Sequence, residues 1–349
     1  MAPPETLLGG PTRASIRRPM LQTAAEEDPV GLSTGQFLLS WLEHARTTLR
    51  PTTHEGYEAL IRRHALPRIG GIPLGELRPL QIQALYAEVL AAPGARTASG
   101  YLSAKTVANL HRVLRRSLHQ AQRWGLIPAN PAASAEPPRA RRPELAVVDR
   151  DLATGVLEHA DGTRFEAPVA IALATGMRRG EILGLKWGDL DGGWAVARIA
   201  RSLEPTASGL VFEEPKTARS RRSVTLPAFL GPYLARQRTD QQVRRETLQE
   251  DWSDLDLVVD SGDGSPWHPD RFSSAFAWFL HRAGLPHIRF HDLRHGHATL
   301  MLLKGIHPKI VSERLGHSSI GITLDTYSHV LPSMQTEAAR AFDELFARA

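Results

Sequence analysis

The chain has 349 residues, of which 42 are basic and 37 are acidic, and it contains no cysteine. This length predicts about two domains, and the missing cysteine excludes disulfides, thiolate nucleophiles and cysteine-ligated metal sites. No apolar run approaches the ~20 residues that a membrane helix needs, and the first residues lack the ordered regions of a signal peptide. We therefore expect a soluble cytoplasmic protein that has no membrane partner.

Charge is unevenly distributed along the chain. Residues 1–148 contain 18 basic and 11 acidic side chains, whereas the rest of the chain contains 24 basic and 26 acidic ones. Arginine accounts for 37 of the 42 basic residues, an excess that a GC-rich genome would also produce. Codon usage does not explain why the positive charge is concentrated in the N-terminal half. This concentration favours an anionic partner for that half, and nucleic acid is the first candidate.

Helical periodicity begins after residue 32. Residues 1–32 are rich in proline, glycine and charge, which predicts a disordered lead-in. Apolar spacing then predicts helices that start at Ser33 and that cover 52–66, 79–90 and 103–124, so we expect a four-helix domain over 33–130. The apolar residues of the last helix share one side, and basic residues lie elsewhere on it, among them Lys105, Arg112, Arg115 and Arg116. We predict that these four bind DNA; an ordinary solvated face is the alternative.

A proline-rich, basic stretch at 131–148 predicts a linker to a second domain, 149–349. In this domain the spacing of apolar residues predicts helices around 167–175 and 179–186. The segments 209–216 and 223–226 then predict two strands, which a polar turn at 217–220 joins into a hairpin. The chain from 227 onward is mainly helical. The predicted fold class is mainly α with a small β-sheet or hairpin, an α+β arrangement.

The second domain contains five short motifs with reactive side chains. In the first, Arg178 opens a helix after a glycine turn, and Glu181 shares its face and is able to hold the guanidinium. In the second, Lys216 lies at the tip of the predicted hairpin, where neighbouring arginines favour proton donation. A surface ion pair and a solvated turn lysine are the alternatives for these two motifs.

The other three motifs supply histidines, an arginine and a tyrosine. His291, Arg294 and His295 crowd one face of a helix, and zinc binding is the minority interpretation, because Arg294 would oppose a cation. His317 follows a helix that Gly316 is placed to end, and Tyr327 comes ten residues later. Each histidine and the tyrosine, considered alone, also fits a structural role.

The reactive side chains of these five motifs, taken together in their order along the chain, suit attack by a phenol on a phosphodiester. Arginines would neutralise the pentavalent phosphorane without a metal, and histidines would handle protons or bond the non-bridging oxygens. A lysine would protonate the 5′-oxygen leaving group, and the tyrosine would form a 3′-phosphotyrosyl link. Exchange of one ester for another conserves bond energy, which agrees with the lack of a P-loop.

Four strings cover most of residues 170–330: TGMRRGEILGLKWGDL, PKTARSRRSVTLP, FHDLRHGHATLMLLKG and RLGHSSIGITLDTYSHV. Through them the chain resembles the tyrosine recombinase (phage integrase) family. The resemblance implies a site-specific DNA recombinase of a phage or other mobile element that needs no cofactor or metal. It also implies a catalytic set in which Tyr327 is the nucleophile and Glu181 has a supporting role, the other members being Arg178, Lys216, His291, Arg294 and His317.

The resemblance also implies partners. A SAM-like helical core-binding domain and the catalytic domain would form a C-shaped clamp around duplex DNA, acting as a homotetramer in the nucleoid. Excisionase and a host DNA-bending protein are further candidate partners. Residues 1–32 are too few for the arm-binding domain of many integrases, so we expect a simple recombination site.

The last apolar stripe predicts a helix over 333–348, whose inward residues would be Met334, Ala338, Ala341, Phe342 and Leu345. It would dock on a neighbouring protomer or pack on its own domain.

Three alternative functions remain for the whole chain: a type IB topoisomerase, a catalytically inactive DNA-binding relative and a histidine-ligated metal hydrolase.

Overall fold

The computed structural model describes residues 31–93, 101–139, 148–214 and 221–327, together with the helical residues 339–340, 342–344 and 346. Two compact units, Met1–Pro143 and Glu144–Ala349, make up the chain, and each has its own hydrophobic core. Several predictions lie outside the described residues: the lead-in over 1–30, Lys216, the side chain of Tyr327 and most of the helix over 333–348. No helix of the described part is long and apolar enough to cross a membrane.

The first unit is helical. Its elements are α1 (Thr34–Arg46), α2 (Pro51–Leu60), α3 (Leu66–Ile69), α4 (Pro79–Ala91) and α5 (Ala104–Arg123), and a π-helical segment, Ile61–Ala65, joins α2 to α3. Local chemistry explains where these helices begin. The hydroxyls of Ser33 and Ser103 accept hydrogen bonds from backbone N–H groups in the first turns of α1 and α5. Pro51 and Pro79 occupy first helical positions, where no N–H is needed.

Helix α5 has an apolar side and a basic side. The residues predicted to face inward are all buried: Val107, Leu110, Val113, Leu114, Leu118 and Ala121. The first unit also continues into the predicted linker, because Ala132 and Ala135 are buried in its core and Gln83 exchanges two hydrogen bonds with the backbone of Glu136, both 3.1 Å long. The start of the linker at 131 therefore needs correction, since these residues pack instead of spanning a gap.

The second unit is mostly helical with two small antiparallel sheets. Its helices are α6 (Arg150–Ala160), α7 (Glu166–Thr175), α8 (Arg179–Leu183), α9 (Gly231–Leu248), α10 (Pro269–Arg282), α11 (Phe290–Leu303), α12 (Pro308–Leu315) and α13 (Ile320–Tyr327). Its strands are β1 (Val196–Ile199), β2 (Ser202–Thr206), β3 (Gly209–Glu213) and β4 (Arg222–Thr225). This agrees with the predicted fold class, mainly α with a small β component.

The strand pairing differs from the predicted hairpin. Strands β3 and β4 occupy the predicted segments, but they do not pair with each other: β2 pairs with β3, and β1 pairs with β4. In the first sheet Thr206 lies opposite Gly209, and in the second Ile199 lies opposite Arg222. The prediction of one 209–226 hairpin was wrong because two strands upstream, β1 and β2, are the actual partners.

The core of the second unit surrounds α7 and an aromatic cluster formed by Phe165, Trp267, Phe272, Phe276, Phe279 and Phe290. A smaller apolar cluster, which includes Leu302 and Leu315, joins α11 to α12. Leu303 of α11 and Ile310 of α12 lie outside these clusters and are exposed. The two clusters fix α7, α11 and α12 against one another, and this arrangement positions the site.

Candidate active site

Three arginines from distant parts of the chain meet at the C-terminal end of α12. The carbonyl oxygens of Arg314, Leu315 and Gly316 accept hydrogen bonds from Arg222 Nε at 2.7 Å, Arg294 Nη2 at 2.9 Å and Arg178 Nη2 at 3.3 Å, respectively. A helix C-terminus leaves its last carbonyls unpaired and carries partial negative charge, so it suits guanidinium donors. We call these three consecutive acceptors the α12 carbonyl cluster.

Arg178 precedes α8 and is held by Glu181. Its backbone N–H donates to Glu181 Oε2 at 2.8 Å, and its Nη1 donates to Oε1 at 2.8 Å. This confirms the contact that the i, i+3 spacing predicts. The side chain of Arg178 is 39% exposed while that of Glu181 is 5% exposed. The partly exposed side chain of Arg178 is therefore held in place by a buried carboxylate.

Arg294 is buried in the interior, with 3% of its surface exposed. Besides Leu315, its guanidinium bonds the carbonyl of Gly176 at 2.6 Å, through Nη1. Gly176 ends α7, so Arg294 connects the C-terminal ends of two helices. Backbone acceptors thus fix the orientation of this charge.

His317 occupies the turn between α12 and α13. Its backbone N–H donates to Ser312 O at 3.0 Å, and its Nδ1 lies 2.8 Å from Thr323 Oγ1. Burial lowers the pKa of His317 to about 4, and the charges of Arg294 and Arg178 contribute in the same direction. The imidazole is therefore neutral at pH 7, next to both arginines.

The three histidines of α11 have different surroundings. His291 is exposed and its ring centroid lies 5.1 Å from that of His295. Although part of its surface is exposed, the surrounding protein desolvates the ring of His291, and this desolvation, together with the charges of His295 and Arg294, lowers its pKa to about 4. His297 is buried and contacts Leu173 O through Nδ1 at 2.7 Å. It therefore joins α11 to α7.

Protein groups engage both ring nitrogens of His297. Its Nδ1 contacts Leu173 O, and its Nε2 accepts from Arg314 Nε at 3.3 Å. Within the described ranges, no group of three or more histidines, aspartates and glutamates is placed to hold a metal ion.

The described part of the predicted catalytic set gathers around the α12 carbonyl cluster. Hydrogen bonds link Arg178, Glu181 and Arg294 to each other or to the cluster, and His317 follows Gly316 directly and is affected by the charges of both arginines. His291 lies one helical turn from Arg294. Lys216 lies outside the described residues. Tyr327 is the last residue of α13, and only its backbone is described.

The sequence interpretation missed Arg222. This residue opens β4, and its side chain is 7% exposed. Its Nη1 and Nη2 donate to the two carboxylate oxygens of Glu181 at 3.0 and 2.9 Å. A signal was available, because Arg222 ends the basic string SRR immediately before the predicted strand 223–226, but such a string more often marks a solvated turn.

The basic side of α5 forms a separate candidate interface on the first unit. Lys105, Arg112 and Arg116 are exposed and recur at helical spacing, with Arg115 exposed beside them. Arg116 lies over the ring of Tyr57, 5.9 Å from its centroid. A row of exposed cations with an adjacent aromatic ring suits contact with a phosphate backbone.

Comparison with known proteins identifies the family. Residues 150–334 match the model of the Phage integrase family, and residues 35–90 match that of the Phage integrase, N-terminal SAM-like domain. The first match covers more than half of the chain. The chain belongs to the phage integrase family. It is a tyrosine recombinase, of the enzyme class that cleaves and rejoins DNA, and the topoisomerase alternative is not favoured.

Relatives resemble this recombinase over most of its length. A tyrosine recombinase XerC-like protein of Caldanaerobacter subterraneus subsp. tengcongensis is 28% identical, and the match covers 90% of this chain and 84% of that protein. An integrase of Saccharopolyspora erythraea is 27% identical, with 89% and 82% covered.

Solved structures share the fold. The Tn1549 transposon integrase in complex with a circular intermediate DNA superposes with a TM-score of 0.75 at 20% identity, over 89% of this chain and all of that one. A lambda integrase dimer bound to a COC′ core site gives a TM-score of 0.61 at 16% identity, over 84% of this chain and 95% of that one.

Proposed function

We propose that this recombinase is the integrase of a mobile element and that it cleaves DNA through Tyr327. The observation that carries the proposal is the convergence of Arg178, Arg294 and His317 at one helix end, directly before the helix that ends at Tyr327. The tyrosine oxygen would bond to phosphorus as the bond to the 5′-oxygen breaks. The product is a 3′-phosphotyrosyl ester and a free 5′-hydroxyl.

Arg178 and Arg294 would stabilise the charge that develops on the phosphorane. Both guanidinium groups are oriented before substrate binds, Arg178 by Glu181 and Arg294 by two backbone carbonyls. Preorganised charge of this kind is worth more than mobile charge, because no reorganisation is needed during the reaction.

Protons would be handled by the histidines and the lysine. The lowered pKa values of His291 and His317 keep both rings neutral at pH 7 in the DNA-free protein. A neutral ring both donates and accepts a hydrogen bond. Either ring would then accept the phenolic proton or bond a non-bridging oxygen, while Lys216 would protonate the departing 5′-oxygen. After strand exchange the same groups act in reverse to rejoin the ends.

Duplex DNA would be held in part by the basic side of α5. Its exposed side chains Lys105, Arg112, Arg115 and Arg116 suit phosphate contacts, which carry little sequence information. Recombination would take place on chromosomal DNA in the cytoplasm. Excisionase and a host bending protein are proposed as modulators of its direction, not as parts of the catalytic site.

The active assembly would be a homotetramer on two duplexes. Phe342 and Phe346 in the C-terminal helical segment are 64% and 72% exposed, so this segment offers apolar surface for a neighbouring protomer. Leu303, Ile306 and Ile310, around the α11–α12 connection, are also exposed. A head-to-tail contact of this kind closes into a ring.

A plasmid assay tests the proposal. A supercoiled plasmid carries the two attachment sequences mapped from the DNA that flanks the gene, and it is incubated with the full chain in EDTA without ATP. We expect two product circles from the wild type and none from Tyr327→Phe. Relaxed plasmid without recombinant circles would support a topoisomerase instead, and recombination by Tyr327→Phe would overturn the nucleophile assignment.

A further inference from the structure

Arg222 is bound on three sides inside the second unit. Its two terminal nitrogens donate to the two oxygens of Glu181, and its Nε donates to the carbonyl of Arg314 at 2.7 Å. The planar guanidinium fork matches a carboxylate in two parallel hydrogen bonds, a geometry that lysine does not reproduce. These contacts direct the head group into the protein and leave its side chain 7% exposed.

The partners of Arg222 are the supports of the reactive groups. Glu181 is the carboxylate that holds Arg178, and the carbonyl of Arg314 belongs to the helix end that also bonds Arg294 and Arg178. A Cβ on Gly316, the residue before His317, would lie only 2.8 Å from Arg222 Nη1. Arg222 therefore packs directly under the turn that presents His317.

We propose that Arg222 is a positioning residue, which acts through Glu181 and the α12 carbonyl cluster to fix Arg178 and His317 for strand cleavage. This assignment rests on the proposed function of the site. Arg222 joins a strand to α8 and α12, so it ties together elements that lie far apart in the chain. Because it is buried among protein acceptors, its effect on cleavage is indirect.

The electrostatics of Glu181 agree with this role. Burial opposes ionisation of this carboxyl, yet hydrogen bonds and charge from Arg222, together with the charge of Arg178, hold its pKa below the usual value. Arg178, directly before α8, and Arg222 on β4 are the charged groups that face it within the described residues. Without Arg222, burial would be opposed by Arg178 alone, so the pKa of Glu181 would rise.

The test compares Arg222→Gln and Arg222→Lys with a matched control. Arg244 in α9 also binds a buried carboxylate, that of Asp260, through two nitrogens at 3.1 and 3.3 Å, and neither residue belongs to the candidate active site. Each full-length variant is mixed in excess with a nicked duplex that carries the mapped attachment sequence and traps the covalent adduct. The single-turnover cleavage rate, the Kd for the duplex and the Tm are measured.

We expect Arg222→Gln to cleave about 100-fold more slowly, because displacement of reactive groups by about 1 Å has an effect of this size. The Kd should stay within threefold, and Arg222→Lys, which keeps the charge, should lose less. Arg244→Gln should cleave within twofold of the wild-type rate, even if its Tm falls equally. If Arg222→Gln fails to fold, a loss of at least tenfold in folded Arg222→Lys supports the assignment.

A pH series separates positioning from general destabilisation. As the pH is lowered, the rate of Arg222→Gln relative to wild type should fall when Glu181 takes up a proton, and Glu181→Gln in the same background should remove the part of that fall that Glu181 causes. The charge of Arg222 also contributes to the lowered pKa of His317, so any fall that remains with Glu181→Gln reports His317 and not Glu181. Wild-type rates for both Arg222 variants, or an equal loss in Arg244→Gln, would overturn the assignment. A wild-type protein that forms no adduct would overturn the proposed function itself.

Discussion

Substitution of Gly316 by alanine tests whether the α12 carbonyl cluster controls cleavage. Gly316 ends α12 with φ of +68°, a conformation in which alanine costs about 1–2 kcal/mol. The new methyl would also lie 2.8 Å from Arg222 Nη1 and 3.1 Å from its Cδ and Cζ. Overpacking of this kind typically costs a further ~1–3 kcal/mol, so we expect a total loss of about 2–5 kcal/mol.

Gly305 is the matched control. It has φ of +73° after α11, and a Cβ there would meet no atom of the described residues within 4 Å. Gly305→Ala should therefore show only the conformational cost of about 1–2 kcal/mol. Because 1 kcal/mol moves the Tm of a unit of this size by roughly 2–4 °C, the two variants should be distinguishable by thermal unfolding.

The decisive readout is the cleavage rate at a temperature where both variants are folded. Gly316→Ala displaces Arg222 and the carbonyl that accepts from Arg178, so its single-turnover rate should fall about 100-fold. Gly305→Ala should cleave at nearly the wild-type rate. Equal stability losses and equal cleavage rates for the two variants would refute the account of the carbonyl cluster.

Four further predictions concern charge and protons. Arg178→Ala should lower single-turnover cleavage by about 10²–10³-fold, the effect of losing one preorganised donor, and an unchanged rate would exclude it from the site. Lys216→Ala should regain cleavage on a substrate whose 5′-bridging oxygen is sulfur, since a thiolate leaves without a proton; failure of rescue would argue against Lys216 as the acid. The pKa of His317 is lowered to about 4 in the folded chain, so its contribution to stability is complete above pH ~6.5 and is lost as pH falls toward 4. In urea unfolding, His317→Gln should therefore reduce the pH dependence in that window, and an unchanged dependence would contradict the lowered pKa. Arg112→Ala should reduce the slope of log K against log salt by about 0.9, whereas Arg46→Ala on α1 should leave it unchanged; equal slopes in both would count against the α5 interface.

Local sequence signals predicted most helices and part of the site. Serine caps and helix-starting prolines mark the boundaries in the first unit, and their effect is confined to a few residues. The pairing of Arg178 with Glu181 follows from positions three apart on one helix. The end of α12 at Gly316 follows from the left-handed conformation that glycine adopts easily.

Strand pairing was less accessible to sequence reasoning. A connection of two residues joins Thr206 to Gly209, and it makes β2 and β3 the actual hairpin. Proline and serine in β2 conceal its strand character, because both are unfavourable or neutral in strands. Strand β4 was consequently assigned the wrong neighbour.

The α12 carbonyl cluster was not predictable from the motifs. Within this cluster, Arg178 contacts a carbonyl 138 residues away, Arg222 one 92 residues away and Arg294 one 21 residues away. A backbone carbonyl has no side-chain identity, so no sequence pattern marks it as an acceptor. Contacts of this range depend on how α7, α11 and α12 pack.

The nucleophile assignment is tested most directly by locating the phosphotyrosyl bond. The full chain is trapped on a nicked attachment-site duplex, the adduct is digested with nuclease and protease, and the nucleotide-bearing peptide is sequenced by mass spectrometry. Our account predicts a 3′-linked nucleotide on Tyr327 and no adduct with Tyr327→Phe. A nucleotide on any other residue, or an adduct that persists in Tyr327→Phe, would contradict it.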